Sequence, residues 1–321
     1  MWKKISAIVV PTLIAVGIIA YMLSRVWGDL LEALQHMIPT YLMIGIIICL
    51  FAWWLRGWRY HYILRSLNYR VPVIVATACI FISQTVNIIV PARLGDFTRI
   101  FILKHDYNTT YSEGISSIVV ERVFDIVTVA LLGGVALLFI PNVPLWFYTV
   151  IIVPLVIGAA FFIFLVFSGK LTAKNKYIRI ILTMLDEIRR ASLTIKSILA
   201  LSISSIVIWL LDVLVCIAVV MMFQQQIPLA VVLLAIVVGN LVKAVPLTPG
   251  GVGTYELSLA FTFELYGISP AIAFLVAVID HLIKNLVTLV GGVISIYFLG
   301  DWVIPTIRQA VSERSGRGRE H

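Results

Sequence analysis

Ile126-Val-Thr-Val-Ala-Leu-Leu-Gly-Gly-Val-Ala-Leu-Leu-Phe-Ile140 runs into Pro141-Asn-Val-Pro144 and on from Leu145 to Gly169, and nothing in 126–169 carries a charge. A bilayer core takes about 20 apolar residues per spanning helix. The run is long enough for two spans, and the Pro141–Pro144 segment supplies the break between them. Working outward, further uncharged stretches lie at 5–24, 37–55 and 71–92. Of the 321 residues, 61% are hydrophobic and 12% charged, against roughly 25% charged in an ordinary soluble domain. Helices buried in a soluble core do not supply so many runs of this length. The expected fold class is an all-α polytopic membrane protein.

The first run follows Lys3 and Lys4, as in a signal peptide, but no A-x-A-like cleavage site comes after it. It reads as a retained span. Cys49, Cys79 and Cys216 lie inside apolar segments without ligand spacing and read as buried small hydrophobes. The net charge of +8 could point to nucleic acid, yet the basic residues sit between apolar segments. They group as Lys3/Lys4, then Arg56, Arg59, Arg65 and Arg70, then Lys104, the run Lys170 to Lys196, and the tail Arg308 to Arg319. Only Arg25 lies in a connection on the other side. The positive-inside rule then puts both termini in the cytoplasm, and no nucleic-acid partner is expected.

Six spans fit, at about 5–24, 38–57, 113–140, 145–168, 197–223 and 269–299. Two apolar segments are left over, 71–103 and 228–266, and a full crossing by either would move the basic connections to the wrong side. Each reads as a re-entrant hairpin, broken by Pro91-Ala-Arg-Leu-Gly95 or by Pro249-Gly-Gly-Val-Gly253. At an offset of 158 from Gly95/Gly253, Gly133-Gly134 recurs as Gly291-Gly292. Upstream the offset is 156, pairing Trp53 with Trp209 and Pro72 with Pro228. The copies enter the membrane from opposite sides, the plan of many secondary transporters. One membrane domain is expected over 1–300, with repeat 1 at about 38–140, repeat 2 at about 197–299, a connecting span and cytoplasmic segment at 141–196, and a basic cytoplasmic tail at 301–321.

Twelve acidic or basic residues fall at membrane depth: Arg93, Asp96, Arg99, Glu121, Arg122, Asp125, Asp212, Lys243, Glu256, Glu264, Asp280 and Lys284. Facing lipid, they would cost on the order of 30 kcal/mol even on the lenient insertion scale. They must face each other or a wet cavity. Ser117, Glu121, Asp125 and Thr128 form one helical stripe bordered by Arg122, so Glu121 and Asp125 are expected to orient Arg122 and Arg93. Asp280 and Lys284 form an i,i+4 pair, and His281 is either a proton carrier or a hydrogen-bonded structural histidine. For Asp212 and Glu264 a structural pairing is the favoured reading. The half-helices after Gly95 and Gly253 would aim free N–H groups into the cavity, an anion site, to which Arg93, Arg99, Arg122, Lys243 and Lys284 add charge. A phosphate suits this set better than a cation.

Nucleotide-loop, zinc-protease, nucleophile-elbow and metal-spacing motifs are all missing from the sequence, and no metal or cofactor is expected. The run Asn87-Ile-Ile-Val-Pro91-Ala-Arg-Leu-Gly95-Asp-Phe-Thr-Arg99, then Val120-Glu-Arg-Val-Phe-Asp125, then Val245-Pro-Leu-Thr-Pro-Gly-Gly-Val-Gly253-Thr-Tyr-Glu256, resembles the lysylphosphatidylglycerol synthase transmembrane region. That flippase-like membrane domain is also found with archaeal glycosyltransferases. The resemblance covers about 5–300 and implies handling of a phospholipid or polyprenyl-phosphate-linked lipid. Only 21 residues follow Gly300, so the expectation is a membrane region without the soluble synthase domain. By motif, the implied site positions are Arg93, Asp96, Arg99, Glu121, Arg122, Asp125, Pro249, Gly250, Gly251, Gly253 and Glu256. Thr248, Lys243, Asp280, His281 and Lys284 complete the candidate substrate-binding set. The resemblance implies a basic residue followed by a small or apolar one in the last span, where this chain reads Asp280-His281.

The function expected is translocation of a lipid with an anionic headgroup across the cytoplasmic membrane. One alternative is a transferase acting on a lipid-linked phosphate with Glu121 or Asp125 as base. The other is a membrane scaffold for a soluble glycosyltransferase or lipid-modifying enzyme, docked on 170–196. Topology is testable by labelling intact cells with an impermeant thiol reagent. A cysteine at Asn175 should stay unlabelled and one at Asn142 should react, whereas labelling of Asn175→Cys from outside would reverse the assigned sides.

Overall fold

The structure is a computed structural model that describes residues 2–90, 93–141, 143–169, 171, 175–245, 247–300 and 302–305, with the backbone alone at 2–11, 30 and 31. Pro91 of the first break, Asn142, Lys170, Lys174, Pro246 and the basic tail from Thr306 onward lie outside the described residues, as do the side chains of Lys3 and Lys4.

In chain order the helices are α1 (Trp2–Gln35), α2 (Thr40–Ser66), α3 (Val73–Ile89), α4 (Gly95–Tyr107), α5 (Tyr111–Leu137) and α6 (Leu145–Ser168). There follow α7 (Lys176–Ser192), α8 (Ile195–Met222), α9 (Leu229–Ala244), a 3-10 turn at Pro249–Gly251, α10 (Thr254–Leu265) and α11 (Pro270–Leu299). Local sequence explains where several of them begin. Thr110 and Glu113 form a reciprocal cap on α5, the hydroxyl accepting the Glu113 N–H at 3.2 Å and the carboxylate accepting the Thr110 N–H at 3.0 Å. The side chains of Asn175 and Thr194 cap α7 and α8. Pro72 and Pro228 immediately precede α3 and α9, where a missing N–H costs nothing.

Five helices are long and apolar enough to cross a bilayer: α1 over Thr12–Asp29, α2, α6, α8 and α11. The chain is a polytopic helical membrane protein. The expected sixth span, 113–140, is seen as the 27-residue α5, whose length matches the others but which carries Glu113, Glu121, Arg122 and Asp125. At 13 and 12 residues, α4 and α10 rise about 18–20 Å and cannot cross a core of about 30 Å.

Helix lengths run 27, 17, 13 and 27 residues from α2 to α5, and 28, 16, 12 and 30 from α8 to α11. Packing is reciprocal between the two sets: α2 lies against α8, α3 against α11, and α9 against α5. The repeated Gly-Gly pairs sit at these crossings. A Cβ on Gly133 would lie 2.8 Å from Val237 of α9, and one on Gly291 or Gly292 would meet Phe81 or Thr85 of α3.

Contacts sort the connections onto two ends of the bundle. At one end the Gln224 side-chain amide donates to the His36 carbonyl at 2.8 Å and Arg25 pairs with Glu264 at 3.2 Å. At the other, Tyr69 donates to Glu113 at 2.6 Å, Ser112 and Ser116 donate to Glu187 of α7, and His105 stacks on Trp302. The end containing 36–39 therefore also holds 223–228 and the C-terminus of α10. Along α6, Leu145, Val156, Ile157 and Phe167 are more than half exposed, an apolar face of the kind a bilayer covers.

Two expectations are corrected. Helix α1 continues to Gln35, so Arg25 lies within a helix and not in a connection. Helix α2 continues to Ser66, and its Arg59 is 1% exposed. Arg56 and Arg59 are thus interior groups, leaving Arg65 and Arg70 as the exposed bases of that connection. Hydropathy alone ended the helix early because it scores an arginine as a terminus, whereas a paired arginine continues it.

The closest backbone approach is at Gly95, where a Cβ would run into the Ser83 carbonyl and lie 2.7 Å from the Asn87 nitrogen. Gly95→Ala should lower the melting temperature in detergent, at a cost of about 1–3 kcal/mol. Gly134, with nothing within 4 Å of a Cβ, is the control, and Gly134→Ala should melt at or above wild type. Equal melting of the two variants would contradict the close α3–α4 approach.

Candidate functional site

A cavity of about 380 Å³ opens between the two sets of helices. Its walls come from Trp53 and Arg56 of α2, Gln84 and Asn87 of α3, Arg93 and Asp96 at the first break, and Glu121, Arg122 and Asp125 of α5. The second set supplies Trp209 and Asp212 of α8, Asn240 and Lys243 of α9, Thr248, Gly250 and Gly251 at the second break, and Lys284, Asn285 and Thr288 of α11.

On the first side, Arg59 reaches across from α2. Its Nη1 donates to Asp125 Oδ1 and Ser205 Oγ, both at 2.7 Å, and its Nη2 lies 3.7 Å from Glu121. Arg99, fully buried over the Tyr60 ring, donates to Glu121 at 2.5 Å. Arg122 donates to both Asp96 oxygens at 2.9–3.0 Å, and Ser83 and Asn87 also donate to Asp96. The expected division of labour is therefore wrong. Arg122 is oriented by Asp96, while Glu121 and Asp125 hold Arg99 and Arg59. Adjacent residues on a helix diverge by about 100°, so Glu121 and Arg122 face different neighbours.

On the second side, Asp280 accepts from Lys284 at 2.9 Å and from Tyr255 at 2.7 Å. Glu256 accepts the Gly253 N–H at 2.7 Å and lies 2.7 Å from His281 Nδ1. Glu256 thus takes up one of the N–H groups expected to be free at the start of α10, that of Gly253. Gly250, Gly251 and Gly253 have φ of 62°, 79° and 85°, values that strain any side chain. Gly253 also lies against α1, where a Cβ would be 3.1 Å from the Ala15 carbonyl.

Of the candidate residues, Arg93, Asp96, Glu121, Arg122, Asp125, Lys243, Thr248, Gly250, Gly251 and Lys284 line the cavity. Arg99, Gly253, Glu256, Asp280 and His281 stand behind it as partners of lining residues or as turn formers. Sequence reasoning missed Trp53, Arg56, Gln84, Asn87, Trp209, Asn240 and Asn285 as lining groups. The repeat register held part of that signal: at the 156 offset of Trp53 and Trp209, Arg56 falls on Asp212 and Gln84 on Asn240. Arg56 and Asp212 pair at 2.8 Å, so Asp212 is paired as favoured and also lines the cavity.

Among the described residues, each of the seven carboxylates expected at membrane depth has a basic partner within 3.2 Å. Two cations are left over. Arg93, in the left-handed region with φ 53°, donates only to the Lys243 backbone carbonyl, at 3.2 Å. The Lys243 ammonium touches no carboxylate among the described residues and lies 2.9 Å from His281 Nε2, through which it faces Glu256. A backbone strain of this kind is held only where surrounding structure dictates it. One cation stands at each break, and the two breaks meet.

The chain matches the family described as lysylphosphatidylglycerol synthase TM region over residues 8–292. It is 30% identical to glycosyltransferase AglD of Haloferax volcanii, with 92% of this chain and 54% of that protein covered. It spans about half the length of that relative. It is 28% identical to a UPF0104 membrane protein of Methanocaldococcus jannaschii, with 67% of this chain and 94% of that one covered. A UPF0104 membrane protein of Methanothermobacter thermautotrophicus is 24% identical, covering 90% of this chain and 93% of its own.

Removing Arg59 would strand a buried carboxylate, which costs about 3–5 kcal/mol. Arg59→Gln should therefore melt well below wild type, and adding Asp125→Asn should restore part of the loss. An unchanged melting temperature for Arg59→Gln would refute this pairing.

Proposed function

The chain belongs to the lysylphosphatidylglycerol synthase transmembrane-region family, and from that premise we propose that it moves a lipid with an anionic headgroup between bilayer leaflets. The observation that carries this reading is the pair of cations Arg93 and Lys243, one from each break, facing a shared cavity with no carboxylate in direct contact with either among the described residues. Burying a charge without a counter-charge is unfavourable, and an incoming phosphate removes that penalty. The lipid class is a phospholipid or a polyprenyl-phosphate-linked lipid.

The architecture we propose is two inverted repeats, α2–α5 and α8–α11. In each, the two short helices form a re-entrant hairpin between long spans. The six spans are α1, α2, α5, α6, α8 and α11. Reciprocal packing of α3 on α11 and α9 on α5 supports this reading, as do the recurring helix lengths. Hairpins entering from opposite faces bring their breaks together near mid-membrane, where broken-helix transporters hold substrate. Alternate rocking of the halves about the α2–α8 contact would expose the headgroup to each side in turn. Exposed Arg65, Arg70, Arg179 and Arg190 support a cytoplasmic placement of that end, in the cytoplasmic membrane. One relative bears the name glycosyltransferase and is about twice as long, so the partner we propose is a soluble glycosyltransferase or other lipid-modifying enzyme.

Purified protein in liposomes should transfer fluorescent phosphatidylglycerol or polyprenyl phosphate between leaflets without changing its mass. A lost charge-assisted hydrogen bond is worth about 1.5–3 kcal/mol, so Arg93→Gln and Lys243→Gln should each slow transfer by roughly tenfold to hundredfold. Both variants should melt near wild type, since Arg93 contacts no carboxylate among the described residues and replacing Lys243 leaves Glu256 with His281 and the Gly253 N–H. Transfer undiminished in both variants would dismiss the anion site, and a lipid that gains or loses a group would favour a transferase.

A further inference from the structure

We propose that the site takes up a proton together with its anion, and that the chain Lys243–His281–Glu256 holds this proton; this rests on the anion-binding reading above. The chain runs inward from the cavity. Lys243 lines it, its Nζ lies 2.9 Å from His281 Nε2, and His281 Nδ1 lies 2.7 Å from Glu256 Oε1. His281 and Glu256 are 1% and 5% exposed. The other Glu256 oxygen is fixed by the Gly253 N–H, so the carboxylate cannot swing away to follow Lys243.

Counting donors decides what the chain can hold. An ammonium has only donors, and so does an imidazolium. A contact of 2.9 Å between Lys243 and His281 needs an acceptor, so the two cannot both be charged while they face each other. In the empty site one positive charge is shared between them and the Glu256 carboxylate balances it. An anion entering the cavity draws the Lys243 ammonium away from His281. Nε2 is then left with an unused lone pair in a buried position, opposite a carboxylate whose counter-charge has turned elsewhere. A proton from cavity water, bound at Nε2, completes an imidazolium–carboxylate pair with Glu256. One anion and one proton enter, and no bond to carbon or phosphorus changes.

No neighbouring charge is free to take over this role. Tyr255, whose ring is 4.5 Å from that of His281, donates to Asp280, which also pairs with Lys284 on the same helix. Asp212 is held by Arg56, and Arg93 binds the Lys243 carbonyl. Helix α3, packed on α11, has no charged residue, and the described α1 side chains bring charge only from Arg25 onward, where Arg25 pairs with Glu264. Linkage makes the coupling reciprocal, so protonation must raise anion affinity by the factor that the anion raises proton affinity. A proton gradient could then drive the lipid.

Short-chain phosphatidylglycerol is the probe, because its phosphodiester does not titrate near neutral pH. Calorimetric binding to the detergent-solubilised full chain, in buffers of different protonation enthalpy, reads the protons taken up per lipid. The expected result is uptake of up to one proton, with affinity rising by no more than tenfold per unit as pH falls from about 8 to 5, the window in which imidazoles titrate. His281→Gln should abolish the uptake and flatten the pH profile. Glu256→Gln, which keeps an acceptor for the Gly253 N–H, should do the same and serves if the histidine variant fails to fold. Lipid binding without proton uptake in the wild type would overturn the coupling and leave the anion site standing. Uptake that persists in a folded variant would also overturn it. Failure of phosphatidylglycerol to bind at any pH would remove both the coupling and the anion site.

Discussion

A charge carried into a bilayer must be neutralised where it stands, since no water is at hand to solvate it. Arg59 shows how far that constraint reaches. One guanidinium on α2 binds Asp125 at 2.7 Å and approaches Glu121 on α5, and also takes up Ser205 on α8. Three helices are fixed in register by one side chain with almost no exposure. Arg99 then completes Glu121, and Arg122 completes Asp96, so the first break is set in place by pairings that begin at Arg59. Arg93 and Lys243, on the wall of the cavity, make no direct carboxylate contact in this network among the described residues.

Small residues do the complementary work. Helices that must approach closely enough to pair short carboxylates with arginines need thin crossings, and Gly95, Gly133 and Gly292 supply them. In a membrane the apolar effect does not draw helices together, so close packing and polar contacts carry association. At Gly95 the close approach to α3 and the ion pair of the adjoining Asp96 with Arg122 are two parts of one contact.

Much of this was legible from residues alone. The charge-free run predicts α6, long apolar segments predict α8 and α11 within a few residues, and the Pro-to-Gly spacing places both breaks. The i,i+4 spacing of Asp280 and Lys284 gives the pairing that forms. Partners on helices far apart in the chain were not legible, because helical periodicity says which face a side chain takes and not which helix meets that face. Arg56 with Asp212 and Arg59 with Asp125 are of this kind. Arg122 beside Glu121 misled for the same reason: nearness along the chain was taken for nearness in space. The cap that Glu256 places on Gly253 was hidden in Gly253-Thr-Tyr-Glu256, a spacing that gives the carboxylate half of a capping box once the helix start is known, glycine having no side chain to return the bond.

Arg56 and Asp212 lie 156 residues apart, the offset that also relates Trp53 to Trp209, and they touch. In an assembly of two identical copies that position would meet itself, arginine against arginine or aspartate against aspartate, and like charges at such a distance repel. Opposite signs can stand there because the two positions belong to different stretches of sequence. The pair is thus a mark of individuality: α2 could not be exchanged for a second α8, nor α8 for a second α2, without setting like charges against each other.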